Sequence, residues 1–150
     1  MKFEKFFKMC GVHFCVLKGD WIAYGNMIVK IPAALRMQFT EHPATMPTYA
    51  VNVLDDHEHG ANSAATVSEA RLPSPEASAK DIRRVFKSAV GMGLKIEISN
   101  SAFSLIERSD KTYISWDDEG TKALVVTSGF GDAEEVTMIV FDEGYFEEVR

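Results

Sequence analysis

Residues 78–108, SAKDIRRVFKSAVGMGLKIEISNSAFSLIER, leave the chain the fewest choices. Ile82, Val85, Phe86 and Ala89 recur at three- and four-residue spacing, which predicts the buried stripe of a helix. Lys80, Arg83, Arg84 and Lys87 recur with the same period on the other side, so the predicted helix has an apolar face and a cationic face. Ser78 is placed to cap it, and Gly91 and Gly93 to end it. Leu94, Ile96 and Ile98 then alternate with Lys95, Glu97 and Ser99, the pattern of a half-buried strand. Asn100-Ser101 turns the chain into a further strand over 102–108.

The N-terminal stretch repeats this order in miniature. Phe3, Phe6, Phe7 and Cys10 form an apolar helical stripe with Lys2, Lys5 and Lys8 lying off it, and Gly11 ends the segment. Strands are expected over 12–17 and 21–31. Set against each other, EKFFKMCG (4–11) and RRVFKSAV (83–90) align Lys5 with Arg84 and Lys8 with Lys87, a weak internal repeat of helix followed by antiparallel strands. Residues 33–39 read as a short strand or turn, and 41–47, with two prolines, as loop. Tyr49, Val51 and Val53 alternate as a strand, and 55–62, DDHEHGAN, reads as a polar loop. Strand composition returns at 65–72, 112–116, 123–127 and 136–141. The expected architecture is α+β: one domain over 1–150, in two helix-plus-antiparallel-strand modules of about 1–63 and 64–150, with the helices on one face of the sheet.

Composition bounds the function classes. At 46% hydrophobic and 25% charged residues, the chain has the means for a real core. It has no apolar run near the roughly 20 residues that cross a bilayer, and lysines interrupt the N-terminus where a signal peptide needs an apolar centre. A cytoplasmic protein without membrane contact is the expectation. Cys10 and Cys15 then read as buried free thiols, with a disulfide or half a metal site as the alternative. The net charge of −6 hides a partition, because cations gather in 1–40 and 80–110 while acids dominate 41–79 and 111–150. Solvated helix faces on an acidic protein are the simplest account of that partition.

Motifs of catalysis are lacking: there is no GxSxG, P-loop, HExxH or CxxC. Asp55, His57 and His59 would share one side of an extended segment and offer good zinc or manganese ligands, yet nothing fixes a fourth, and a solvated loop is the simpler reading. Trp21, Tyr24, Phe103, Tyr113 and Trp116 have the chemistry to stack bases, or to pack as core and cross-strand pairs. No cofactor and no metal are expected, and the chain reads as a non-enzyme.

Three segments, 5–31, 79–108 and more faintly 137–149, resemble the sliding clamps, the ring-shaped processivity factors of DNA polymerases. The resemblance implies helices that line a central hole and present cations to DNA phosphates. Lys2, Lys5, Lys8, Lys80, Arg83, Arg84 and Lys87 are the residues that match that role. It also implies self-association, since a ring built from one-domain chains needs about six copies. The leading expectation is a clamp-like module that binds DNA backbone without sequence preference or docks on replication proteins. The alternative is a small acidic inhibitor or adaptor for a basic protein partner, using 117–119, 132–135 and 142–148.

Overall fold

Lys122–Ser128, KALVVTS, is buried from Ala123 to Thr127 with no alternation, so it needs a packed layer on each side. In the computed structural model, which describes residues 1–39, 42–60, 62–72, 74–78, 81–89, 93–116 and 121–142, both layers are present. Leu124 and Val126 face one core and Ala123 and Val125 the other, as the two-residue period of a strand requires.

The elements run α1 (Phe3–Cys10), β1 (Cys15–Leu17), β2 (Trp21–Tyr24), β3 (Met27–Lys30), a 3-10 turn (Ala33–Phe39), α2 (Thr48–Glu58), β4 (Asn62–Arg71), β5 (Arg83–Ser88), β6 (Lys95–Ser99), α3 (Asn100–Phe103), β7 (Lys111–Trp116), β8 (Lys122–Ser128) and β9 (Glu135–Phe141). The chain is α+β, and mostly sheet. Nine antiparallel strands lie in the order β1-β2-β3-β9-β8-β7-β4-β5-β6. The helices occupy both faces, not one as expected, because β8, buried from Ala123 to Thr127, needs cover on each side. α1 and α3 bring Phe6, Cys10 and Ala102 to the larger core, and α2 brings Ala50 and Val53 to the smaller one.

β4 makes the sheet curl. Its first residues pair with β7 and the rest with β5, and the register shifts between Val67 and Glu69. Such a bulge bends the strand. Phe86, Ile96 and Ile98 thereby join the same core as Leu124 and Met138. The far edge returns against the ends of β8 and β9, where Lys122 Nζ donates to the Lys95 carbonyl (3.1 Å) and the Glu97 N–H donates to Asp142 (3.1 Å).

Expectations for four segments of the chain are corrected. The predicted helix from Ser78 is a strand at Arg83–Ser88, bonded to β4 on one side and β6 on the other. Short apolar runs fit either period, and here two neighbouring strands supply partners that outweigh the local stripe. The second helix of the internal repeat is therefore absent. Conversely, Tyr49, Val51 and Val53 lie on a helix, because Ala50, Val53, Leu54 and His57 form the inward stripe while Tyr49 and Val51 are exposed. The expected strand at 102–108 begins as one helical turn capped by Ser99, whose hydroxyl accepts the Ala102 N–H at 3.1 Å. Residues 21–31 are a hairpin, β2 and β3, turned by Gly25-Asn26 with Gly25 at φ +59.

Candidate nucleic-acid interface

α1 forms as the sequence predicts. Phe6 and Cys10 are buried, and Phe7 fixes the helix laterally by edge contacts to Phe14 (5.5 Å) and Phe39 (5.3 Å). Lys2, Lys5 and Lys8 are all exposed, and among the described residues none of their ammonium groups has an ion pair or hydrogen bond. Lys8 lies in the last turn, where it favours the helix dipole, but Lys2 and Lys5 lie at the positive end. Helix stability thus does not account for the row.

The second predicted cationic face is not formed. Lys80 lies outside the described residues. Within β5, Arg83, Val85 and Lys87 share one side and Arg84 and Phe86 the other, because successive strand residues alternate. Arg84 is committed to structure: its guanidinium lies 4.8 Å over the Phe103 ring, and Nε donates to Asn100 Oδ1 at 3.1 Å. On the opposite side Arg83 lies across from Arg71, and Arg71 makes a bidentate pair with Glu97 at 2.8 and 2.6 Å. That pair runs from β4 to β6 and so spans β5. Lys87 is exposed directly opposite Lys95.

Three of the described acids in the candidate acidic segments are paired. Glu134 sits 3.2 Å from Lys111 Nζ, Glu135 3.4 Å from Lys30 and Asp142 3.6 Å from Lys122. Residues 117–119 and 143–148 lie outside the described residues. Both sheet edges are partly covered as well. Beside β1, the Ala44 N–H donates to the Val16 carbonyl (2.8 Å) and its carbonyl accepts from the Lys18 N–H (2.7 Å), while Asp142 takes the Glu97 N–H of β6.

The DDHEH run falls on the last turns of α2, and its members diverge. His59 Nδ1 lies 2.7 Å from the Asp55 carbonyl at the surface, whereas His57 turns inward to Ser115 Oγ (3.1 Å) and stacks edge-on with Tyr113. His57 is therefore half-buried and not solvated as expected, and burial pushes its pKa down against the nearby charges of Glu134 and Glu58. Ser115 is fully buried, so this contact seals the α2 interface and offers no reachable nucleophile. Among the described residues no three His, Cys, Asp or Glu side chains are grouped to hold a metal. Of the cysteines, Cys10 is buried, with its thiol pKa raised by burial, and Cys15 is exposed; both are free.

One ionic cluster gave no sequence signal, since its members lie far apart in the chain. The Met1 ammonium reaches the buried Asp110 carboxylate, which also accepts the Glu107 N–H (2.9 Å) and the Ser128 hydroxyl (2.8 Å). Burial acts to raise the Asp110 pKa, but these bonds outweigh it and hold the carboxyl below its ordinary range. The aromatic residues with stacking chemistry are partly or wholly buried, as the core or cross-strand alternative has it. Trp21 is buried, Phe103 lies under Arg84, and Tyr24, Tyr113 and Trp116 are half-buried.

Comparison of the chain with protein-family models, with curated proteins and with solved structures finds no match. The resemblance to sliding clamps rests on sequence segments alone. One of these, 79–108, holds strands and a single helical turn where the clamp pattern places a long helix. Among the described residues no helix is long and apolar enough to cross a membrane.

Proposed function

We propose that the chain is a non-enzymatic, clamp-like module that holds DNA by its phosphodiester backbone through the outer face of α1. The observation that carries this reading is an asymmetry of pairing. Lys2, Lys5 and Lys8 are exposed and without ionic partners among the described residues, whereas Glu134, Glu135 and Asp142 each lie beside a lysine. Free cations favour an anionic partner. Lysines act as point charges on phosphate and read no base edge, so binding through this row is independent of base sequence.

The net charge of −6 works against long-range attraction. At 0.1 M salt, however, charges beyond about 10 Å are largely screened, and the local row decides. Replication is the setting that the clamp resemblance implies. Ring closure by strand addition would have to displace Ala44 and Asp142 from the two edges, so the binding unit proposed is the open, unassembled module.

The test is a salt titration of duplex binding by the parent and by the Lys2→Gln/Lys5→Gln/Lys8→Gln variant. Each phosphate contact contributes about 0.9 to the slope of log affinity against log salt, so the triple variant is expected to lose up to about 2.7. A parent that leaves duplex DNA unbound at low salt would end this reading.

A further inference from the structure

We propose that the outer face of β5 and β6 carries a second contact for phosphodiester backbone, centred on Lys87 and Lys95 and separate from α1. The inference rests on the reading of the chain as a backbone-binding module and extends it to a new surface. Strand register carries the argument. Lys87 and Lys95 are direct cross-strand partners and both are exposed. Directly opposed residues of an antiparallel pair hold their Cβ atoms about 4.5–5.5 Å apart, and like charges there repel.

Elsewhere on this face repulsion is relieved. Arg71 and Arg83 are also opposed, but Glu97 pairs with Arg71 across β5. At the other end, the residue that β4 places beside Lys87 is Thr66, which has no charge to offer. Among the described residues neither lysine side chain has an ionic or hydrogen-bonding partner. Lys122 Nζ donates to the Lys95 carbonyl at 3.1 Å, and its charge is met by Asp142. Of the acids near this end, Asp142 is shared between Lys122 (3.6 Å) and the Glu97 N–H (3.1 Å), and Glu69 lies opposite Val85, diagonal to Lys87 and not directly across from it.

An anion is therefore the complement of this end of the face. A phosphodiester group offers two charged oxygens to two adjacent ammonium groups and converts a repulsion into two charge-assisted contacts. Lys87 points away from Phe86, and the α1 lysines away from Phe6, while Phe6 and Phe86 share one core. The two cationic groups thus sit on different elements around that core, so their contributions can be separated by substitution.

The experiment is a salt titration of duplex binding, read by fluorescence anisotropy, on four proteins: the parent, Lys87→Gln/Lys95→Gln, the α1 triple Gln variant, and all five changes together. All five lysines are exposed, and thermal melting followed by circular dichroism checks that each variant folds. The expected result is a slope smaller by roughly 1.8 for the Lys87→Gln/Lys95→Gln protein, with the α1 variant losing its own share and the combined variant losing both. A Lys87→Gln/Lys95→Gln protein with the parent's slope overturns the second site and leaves the α1 reading intact. Loss confined to that protein, with the α1 variant unchanged, supports the second site and removes α1. Displacement of duplex from this face by polyglutamate at equal charge concentration would also overturn the proposal, because the face would then serve acidic peptides. A parent that binds no duplex removes both sites.

Discussion

α1 and β5 carry nearly the same pattern of cations and aromatic residues and use it in different ways. α1 satisfies most of its backbone within itself and meets the protein through its apolar side, Phe3, Phe6, Phe7 and Cys10, so its lysine side chains remain outside any network. β5 is hydrogen-bonded on both sides, and each of its side chains meets a neighbour from β4 or β6. There the arginines are drawn into structure: Arg84 stacks on Phe103, and Arg83 lies beside the Arg71–Glu97 pair. Only Lys87, at the end of the strand, keeps its charge unmatched. The difference teaches that a basic segment is a candidate surface only for those cations that the fold leaves without partners. It also separates the residue types, since the planar guanidinium suits stacking and bidentate pairing while the ammonium serves as a free point charge.

The largest effect expected from breaking this comparison lies in the shared core. Phe86 is 3% exposed and joins β5 to the cluster that Phe6 enters from α1. Phe86→Ala is expected to cost about 3–5 kcal/mol in denaturant unfolding, the range for emptying a packed aromatic site. A loss under about 1 kcal/mol would mean that β5 is not anchored as described.

Arg84→Ala sharpens the comparison on a smaller scale. The Phe103 contact and the Asn100 hydrogen bond together suggest a cost of about 1–2 kcal/mol, with the salt slope of DNA binding unchanged. Were this segment a helix with Arg84 on a solvated face, the same change would be neutral or stabilising, because alanine is the better helix former. A stable Arg84→Ala protein with a reduced salt slope would reverse the roles assigned to Arg84 and Lys87.

These experiments bear on the places where the sequence was ambiguous. β6, β7, β8 and β9 were legible because alternation or an unbroken apolar run agreed with their flanking turns. The α1 row was legible for the same reason, since Phe6 and Cys10 repeat at helical spacing and Gly11 stops the pattern. Residues 83–88 were not, because Ile82, Val85, Phe86 and Ala89 match a helix and the partners that decide otherwise, β4 and β6, act only in the folded sheet. At 49–53 the opposite error arose: alternating Tyr49, Val51 and Val53 suggested a strand, while Ala50, Leu54 and His57 carried the helical stripe. A usable signal did exist at Gly25-Asn26, a two-residue turn of the type that joins hairpin strands. For the candidate site, the identity of the free lysines on α1 could be read directly. The pairing of Lys87 with Lys95 could not, because it depends on strand register.

The fold leaves Lys2, Lys5, Lys8, Lys87 and Lys95 free for phosphate, while Lys30, Lys111 and Lys122 lie beside carboxylates. Amine acylation followed by mass spectrometry, with and without duplex DNA at low salt, tests this division residue by residue. The account predicts that duplex protects Lys2, Lys5 and Lys8, together with Lys87 and Lys95. Lys30 and Lys111, which lie beside Glu135 and Glu134, should react at the same rate in both conditions. Protection of Lys30 and Lys111 with the α1 lysines left fully reactive would contradict it.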